Sequence, residues 1–465
     1  MTTEQRPTAS IWDRERLWVT AGAVALIFLA AIEALAVTTV MPIVSEALDG
    51  RDLYAVAFAG TLATSVIGMV AAGAWSDARG PRGALYAAVS LFIAGLLLSG
   101  FAVTMDQFLI GRLVQGLGAG GQTVALYVVV ARLYPPQLHG RVFAAFAAAW
   151  VVPSMIGPFL AGAVAEYLDW RWAFLGVAVL TGVAFVIVVA RLRGVDLGRG
   201  EPQNRRALVI RLVLAVVVAV FAVLIGFTAE MTVRLAWPVA IGSVIVIGVA
   251  LLPLVPRRTL RAGRGLPSVV LMRGIAAGAF FAAEAYVPYL LMERFDFTAT
   301  WAGIALMLAA FAWAGASQLQ GAFGERLGNT RITVISLSLL LVALVLVLAA
   351  AQWGVSPVFV VVGWGFAGGG MGLLYPRLTV LALAYSNEGN QGFNSSALSI
   401  SDAAGSAVAI ALAGLLVATL GGEAASFGVV FAFCLGLVLL ASVPGLRLGH
   451  AAAVSYTHLT LPTKA

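Results

Sequence analysis

The chain has 465 residues, of which 61% are apolar and only 11% charged. A soluble domain is nearer half apolar and a quarter charged, so this composition excludes one and calls for lipid. The net charge of +7 comes almost wholly from arginine, since Lys464 is the only lysine; short arginine clusters between apolar runs read as topology signals, not as a nucleic-acid surface.

In chain order, the apolar runs predict membrane helices over 17–41, 53–75, 83–103, 105–131, 142–166, 171–192, 207–228, 236–255, 268–292, 299–322, 331–351, 355–383, 396–420 and 425–445. Each is about 20 residues or longer, the length needed to cross a bilayer with every backbone group satisfied inside a helix. The polar stretch 1–16 precedes the first run, and no small-residue cleavage site follows that run, so it is expected to be retained as a helix. The segment 207–255 decides between twelve and fourteen spans. Its charges, Arg211 and Glu230, lie near its edges, where they can snorkel, and two true spans are expected.

Arginine also predicts orientation. With the N-terminus inside, inner segments carry the arginines at 6, 14, 16, 79, 82, 132, 141, 191, 193, 199, 205, 206, 257, 258, 261, 264, 326, 331 and 447, while outer loops carry only Arg51, Arg171, Arg234 and Arg294. This asymmetry places both termini in the cytoplasm. The lone cysteine, Cys434, sits in an apolar run and reads as a small buried hydrophobe.

The chain repeats itself. GAWSDARGPRGAL at Gly73–Leu85 returns as GAFGERLGNTRIT at Gly321–Thr333, in a short polar gap between apolar runs both times. Gly73, Asp77, Gly80 and Arg82 of the first copy correspond to Gly321, Glu325, Gly328 and Arg331 of the second. The offset is 248 residues there, and 252 between Gly111, Gly116, Gly118 and Gly120 and Gly363, Gly368, Gly370 and Gly372. Six spans need about 180 residues at this spacing. The architecture expected is therefore all-α: a tail 1–16, a six-helix half 17–192, an inserted pair 207–255 and a second half 268–445.

Several stretches resemble the major facilitator superfamily, in particular its fourteen-span drug:proton antiporters. GAWSDARGPR resembles the family's loop motif, with Ala78 and Pro81 in place of basic residues. LIGRLVQGLGAGG (Leu109–Gly121) is similar to the span-four motif carrying Arg112. WVVPSMIGPFLAG (Trp150–Gly162) resembles the span-five antiporter motif through Gly157, Pro158 and Gly162, with Pro153 and Ala161 departing from it. IEALAVTTVMP (Ile32–Pro42) resembles the span-one motif with Glu33 at the acid's place, and DWRWAF (Asp169–Phe174) the motif before span six. The resemblance implies two helical halves around a midplane cavity that opens alternately to either side.

Charges within apolar runs cost about 2.5–3.5 kcal/mol each even on a lenient scale, so Glu33, Arg112, Glu284 and Asp402 are the candidates for proton coupling. Glu33 and Arg112 are expected to pair; Arg112 has Trp364 as its counterpart in the second half, which argues against a purely structural duty. Glu284 is expected to have no basic neighbour in its span until Arg294 beyond the end, and desolvation would favour its protonated form. Asp77 is expected to latch a gate by accepting from a helix N-terminus or pairing with Arg82. Gln115, Gln122, Tyr127, Trp150, Tyr286 and Tyr289 are expected to wall an aromatic cavity suited to bulky amphipathic or cationic compounds; belts or core are the alternative for them.

The sequence holds no Walker loop, metal-ligand cluster or nucleophile elbow. The expectation is a monomeric, multi-pass protein of the inner (plasma) membrane, not an enzyme, with no cofactor and no nucleic-acid partner. Its partners would be protons, the bilayer and a small-molecule substrate. Proton-driven export is the favoured reading; transport of a specific metabolite, lipid or siderophore on the same scaffold is the alternative, with a membrane sensor or scaffold well behind. The end, VSYTHLTLPT (Val454–Thr463), back-translates into something like a transposase sequencing adapter, so 454–465 is expected to be a non-native tail after about Ala453.

Overall fold

The computed structural model describes residues 13, 16–195, 197, 205–228, 231–385, 391–420 and 426–448; most of the 1–16 tail and all of 454–465 lie outside these. Thirteen α-helices carry the fold: α1 (Leu17–Ala47), α2 (Tyr54–Arg79), α3 (Pro81–Gly100), α4 (Met105–Leu133), α5 (Pro136–Tyr167), α6 (Trp172–Leu192), α7 (Arg205–Phe227), α8 (Val233–Leu251), α9 (Leu266–Phe295), α10 (Ala299–Trp353), α11 (Val358–Ala384), α12 (Gln391–Leu420) and α13 (Ser426–Gly445). Among the described residues there is no strand.

The helices start where local chemistry allows. Pro81 and Pro136 each stand in a first turn, where a missing N–H costs nothing. Thr104 and Thr298 cap α4 and α10 by accepting from the backbone N–H of Gln107 and Trp301. The loop motif supplies the breaks: Gly80, at φ 85°, ends α2 and starts α3, and its counterpart Gly328, at φ 74°, interrupts α10. A side chain is strained at such angles, so the same residue type marks the same corner in both halves. Broken there, α10 supplies two spans, Ala299–Gly321 and Arg326–Trp353. Among the described residues, thirteen segments are long and apolar enough to cross a bilayer, and α5, bent by 45° between Ala148–Ser154 and Ile156–Tyr167, makes a fourteenth. The bend falls where Pro153 removes a helical hydrogen bond.

Packing repeats with the sequence. A methyl at Gly116 would collide with the carbonyl oxygen of Thr61, and one at Gly120 with that of Ser65; at Gly368 and Gly372 the obstructing carbonyls belong to Ala309 and Trp313, each 248 residues further on. The other side of the same two helices behaves alike: Gly111 approaches the carbonyl of Gly95 and Gly118 that of Ala88, while Gly363 approaches Ala343 and Gly370 approaches Ser336, again 248 residues on. Small residues let backbones close to this range where lipid gives no hydrophobic drive for helix association. The two halves are thus one packing scheme used twice.

The inserted pair sits beside this scheme. Helix α7 lies against α2 of the first half and α12 of the second, and α8 packs on α7. Arg211 is exposed on α7, in keeping with snorkelling, and both helices are apolar over a membrane-spanning length.

The halves meet along α2 and α12, where Val66, Ile400 and Ala403 share a buried cluster, and several polar and close backbone contacts between them fall at one end. Tyr54, at the start of α2, donates to the Ala285 carbonyl on α9, and Arg51 pairs with Glu293 at 3.2 Å. The backbone N–H of Thr300 donates to Glu166 at the end of α5. Gly162 abuts the Ala299 carbonyl, and Gly303 that of Pro158. The molecule is closed at this end, opposite the loop motif.

Candidate functional site

Helix α1 brings Glu33, and α4 brings Arg112, to a buried ion pair in the first half, each only 4% exposed. The guanidinium also donates to the Gln115 side-chain oxygen at 2.7 Å and, through Nε, to the Ala57 carbonyl at 3.4 Å. Removing two ions from water is repaid only when the remaining donors find partners, and this cluster supplies several.

Gln115 and Gln122 are both fully buried. Gln115 steadies Arg112, and Gln122 donates to the Leu26 carbonyl at 3.0 Å, tying α4 to α1. The reason is helical spacing. Residues three apart share a face, so Gln115 follows Arg112 into the protein.

In the second half the place of this pair is taken by rings. Trp364, buried at the position equivalent to Arg112, stacks on Phe280 at 5.1 Å with an interplanar angle of 20°. Glu284 lies one turn beyond Phe280 on α9, 9% exposed, and has no hydrogen bond or ion pair among the described residues. Glu33 and Glu284 therefore differ in kind: one carboxylate is held by a cation, the other is buried with no ion pair among the described residues.

A third charged group escaped the sequence reading. Arg273, eleven residues before Glu284 on the same helix, bonds Asp402 of α12 through Nε at 3.2 Å and through a terminal nitrogen at 3.0 Å. The Tyr375 hydroxyl donates to the other Asp402 oxygen at 2.7 Å, and the guanidinium carbon sits 3.3 Å from the Tyr375 ring centroid. Asp402 is thus not isolated, and Arg273 pairs with it and not with Glu284. Arg377 on α11 likewise bonds Asn329 beside the Gly328 corner. Both arginines lie inside predicted spans, 268–292 and 355–383, which is the sequence signal that marks them.

The aromatic candidates divide. Tyr127 and Trp150 are each 46% exposed on α4 and α5, and Tyr127 stacks on Phe146. Tyr286 and Tyr289 instead meet Tyr54 at centroid distances of 5.5 and 5.3 Å, so they belong to the closed end.

In the loop motif, Arg82 donates to the Val195 carbonyl and Arg132 to that of Leu197 at 3.1 Å, fastening the segment after α6 to this end. The side chains of Asp77 and Glu325 lie outside the described residues. Of the span-five motif, Gly157 faces Ile32 and Leu35, the neighbours of Glu33, while Pro158 and Gly162 face α10 of the other half. Span five is therefore hinged at Pro153 and contacts both the buried pair and the opposite half.

This architecture is that of a helical-repeat membrane transporter. A family model described as the Major Facilitator Superfamily matches residues 23–353, and the chain belongs to that family. It is 26% identical over 200 residues to Multidrug resistance protein 3 of Bacillus subtilis, covering 43% of this chain and 39% of that one. It is 32% identical over 163 residues to the MFS efflux transporter aclA of Aspergillus oryzae, covering 35% and 29%. The chain thus matches well under half the length of these curated relatives. Among solved structures it is similar to a POT family transporter in complex with 5-aminolevulinic acid, with TM-score 0.69, 16% identity and 93% and 96% coverage. It is also similar to a bacterial homologue of the human lysosomal transporter Spinster in an inward-facing, unoccupied conformation, with TM-score 0.64, 13% identity and 94% and 96% coverage. At these identities the structures speak for the fold alone.

Proposed function

We propose that this chain is a proton-coupled exporter of amphipathic or cationic small molecules that works by alternating access. The observation that carries the reading is the presence of two buried carboxyl groups in opposite halves, Glu33 held by Arg112 and Glu284 without an ionic partner among the described residues. A membrane protein keeps such costly groups for a task. Glu284 carries the proton, Glu33 with Arg112 responds to the substrate's charge, and Arg273 with Asp402 is the further pair through which the second half can couple. Tyr127 and Trp150 offer ring faces that attract cations. The names of relatives, an efflux transporter and a multidrug resistance protein, favour export.

The cycle uses the packing already described. Closure at the Tyr54 end alternates with closure at the loop-motif end, where Asp77 and Arg82 belong to the latch. One proton moving down 100 mV supplies about 2.3 kcal/mol, enough to drive substrate uphill about fortyfold. The protein would work as a monomer in the plasma membrane with both termini cytoplasmic, needing no cofactor.

Proteoliposomes with an imposed pH gradient test this. A fluorescent lipophilic cation should accumulate against its gradient when the gradient is imposed and stop when it is dissipated. Accumulation indifferent to the gradient, or flux confined to one neutral metabolite, would overturn the proposal.

A further inference from the structure

A hollow of about 340 Å³ lies on the outer flank of the first half, between α1 and α6. Ala21, Gly22, Ala25 and Leu29 of α1 form one wall, and Val183 and Ile187 of α6 belong to the other. The small residues make the hollow. Ala21 and Ala25 leave space where larger side chains would fill it, and Gly22 lets α1 approach Val188 of α6. Its size is in the lower part of the range of about 300–1,000 Å³ common for small-molecule sites.

One end of this apolar hollow is charged. Trp18, 46% exposed, stands at its mouth with the guanidinium of Arg191 5.6 Å from its ring centroid. Tryptophan prefers the level of lipid headgroups, and basic pockets between helices receive anionic ones. An apolar trough capped at one end by a tryptophan and an arginine has the polarity of a phospholipid: acyl chain along the trough, phosphate at the cap.

We propose that the α1–α6 groove is a binding site for one anionic phospholipid of the leaflet at the loop-motif end. Its acyl chain lies along Ala21, Ala25 and Leu29, and its phosphate is held by Arg191 beside Trp18. The site is independent of the substrate path, yet it braces the helix that carries Glu33, one turn beyond Leu29.

Native mass spectrometry of the full chain in detergent, titrated with phosphatidylglycerol or phosphatidylcholine of matched chains, tests it. The expected result is one retained phosphatidylglycerol per chain in preference to phosphatidylcholine. Arg191→Gln should lower that preference about fivefold, the worth of one arginine near the membrane surface. Ala25→Phe, which puts a ring in the trough, should remove retention of both lipids while melting temperature and monodispersity are kept. Should Ala25→Phe not fold, Val183→Trp on the opposite wall serves instead. Equal retention of the two lipids by the unaltered chain, a preference unchanged in Arg191→Gln, or undiminished retention with the trough filled would each overturn the proposal.

Discussion

The hydroxyl of Tyr54 donates to the backbone carbonyl of Ala285 at 2.5 Å, one residue after Glu284. This bond crosses from the first half to the second at the closed end, beside the Arg51–Glu293 pair and the Tyr286 and Tyr289 rings. Closure of that end is therefore fastened to the backbone beside the proposed proton carrier.

Tyr54→Phe keeps the ring contacts and removes only this bond. Losing one buried hydrogen bond costs about 1 kcal/mol, or roughly a fivefold change in an equilibrium. The population open at this end should rise by that factor. Cys434 is buried, so background labelling is low, and it can be replaced in any case. A cysteine at buried Val287 should then react about fivefold faster with a membrane-impermeant maleimide. An unchanged rate would mean that the bond does not hold the end shut.

Much of this molecule is written in its sequence because lipid is an unforgiving solvent. A charge inside an apolar run has a high cost, so Glu33 and Arg112 stood out and do pair. Helices that pack backbone to backbone need glycine, so the repeat at 248 and 252 residues survived in letters and in contacts alike. Helix rotation is not written so plainly. Gln115 and Gln122 turn inward with Arg112 and α1, where a reading by residue type alone would set them on a cavity wall. Tyr286 and Tyr289 sit three apart on one face, but their burial against Tyr54 depends on which end of the molecule is closed. Arg273 is hard to read as a site residue from sequence, because arginine beside an apolar run reads as a loop marker and its partner Asp402 is remote in sequence.

The Glu33–Arg112 pair should be worth far more when one partner is removed than when both are. Glu33→Gln or Arg112→Gln alone leaves a buried polar or charged remnant, at a cost of about 3–5 kcal/mol. The double substitution removes both charges, and its effect on thermal unfolding should fall well short of the sum. Additive losses would indicate that the two residues act separately. Arg112→Lys should not restore the pair, because one ammonium cannot serve Glu33, Gln115 and the Ala57 carbonyl from the guanidinium's positions.

Where Gly162 meets the Ala299 carbonyl and Gly303 meets that of Pro158, α5 and α10 touch backbone to backbone across the halves. Such contact leaves no room for a side chain. Gly303→Val should therefore disfavour closure at the Tyr54 end and hold the protein in the opposite state, in contrast with the modest bias of Tyr54→Phe. Maleimide labelling at position 287 should be raised more than in Tyr54→Phe, and turnover should fall because the cycle cannot return. Normal turnover with a protected position 287 would rule out a gating contact at α5 and α10.

The two buried acids should fail differently. Glu33 is ion-paired with Arg112, whereas Glu284 has no such partner among the described residues. A carboxyl that gives up its proton only when its surroundings change is suited to the pH-driven step, and one already neutralised by a cation is suited to sensing a second cation that competes for it. Glu284→Gln should therefore abolish accumulation driven by a pH gradient while leaving downhill exchange of substrate in place. Glu33→Gln should impair cationic substrates more than neutral ones, since it weakens the group a cation would recruit. Both variants can be measured in the same proteoliposomes with a lipophilic cation and a neutral dye of similar size. If both lose the two substrates alike, or if Glu284→Gln still concentrates the cation, the division is wrong. Asp402, with Arg273 and Tyr375 around it, then becomes the group to neutralise next.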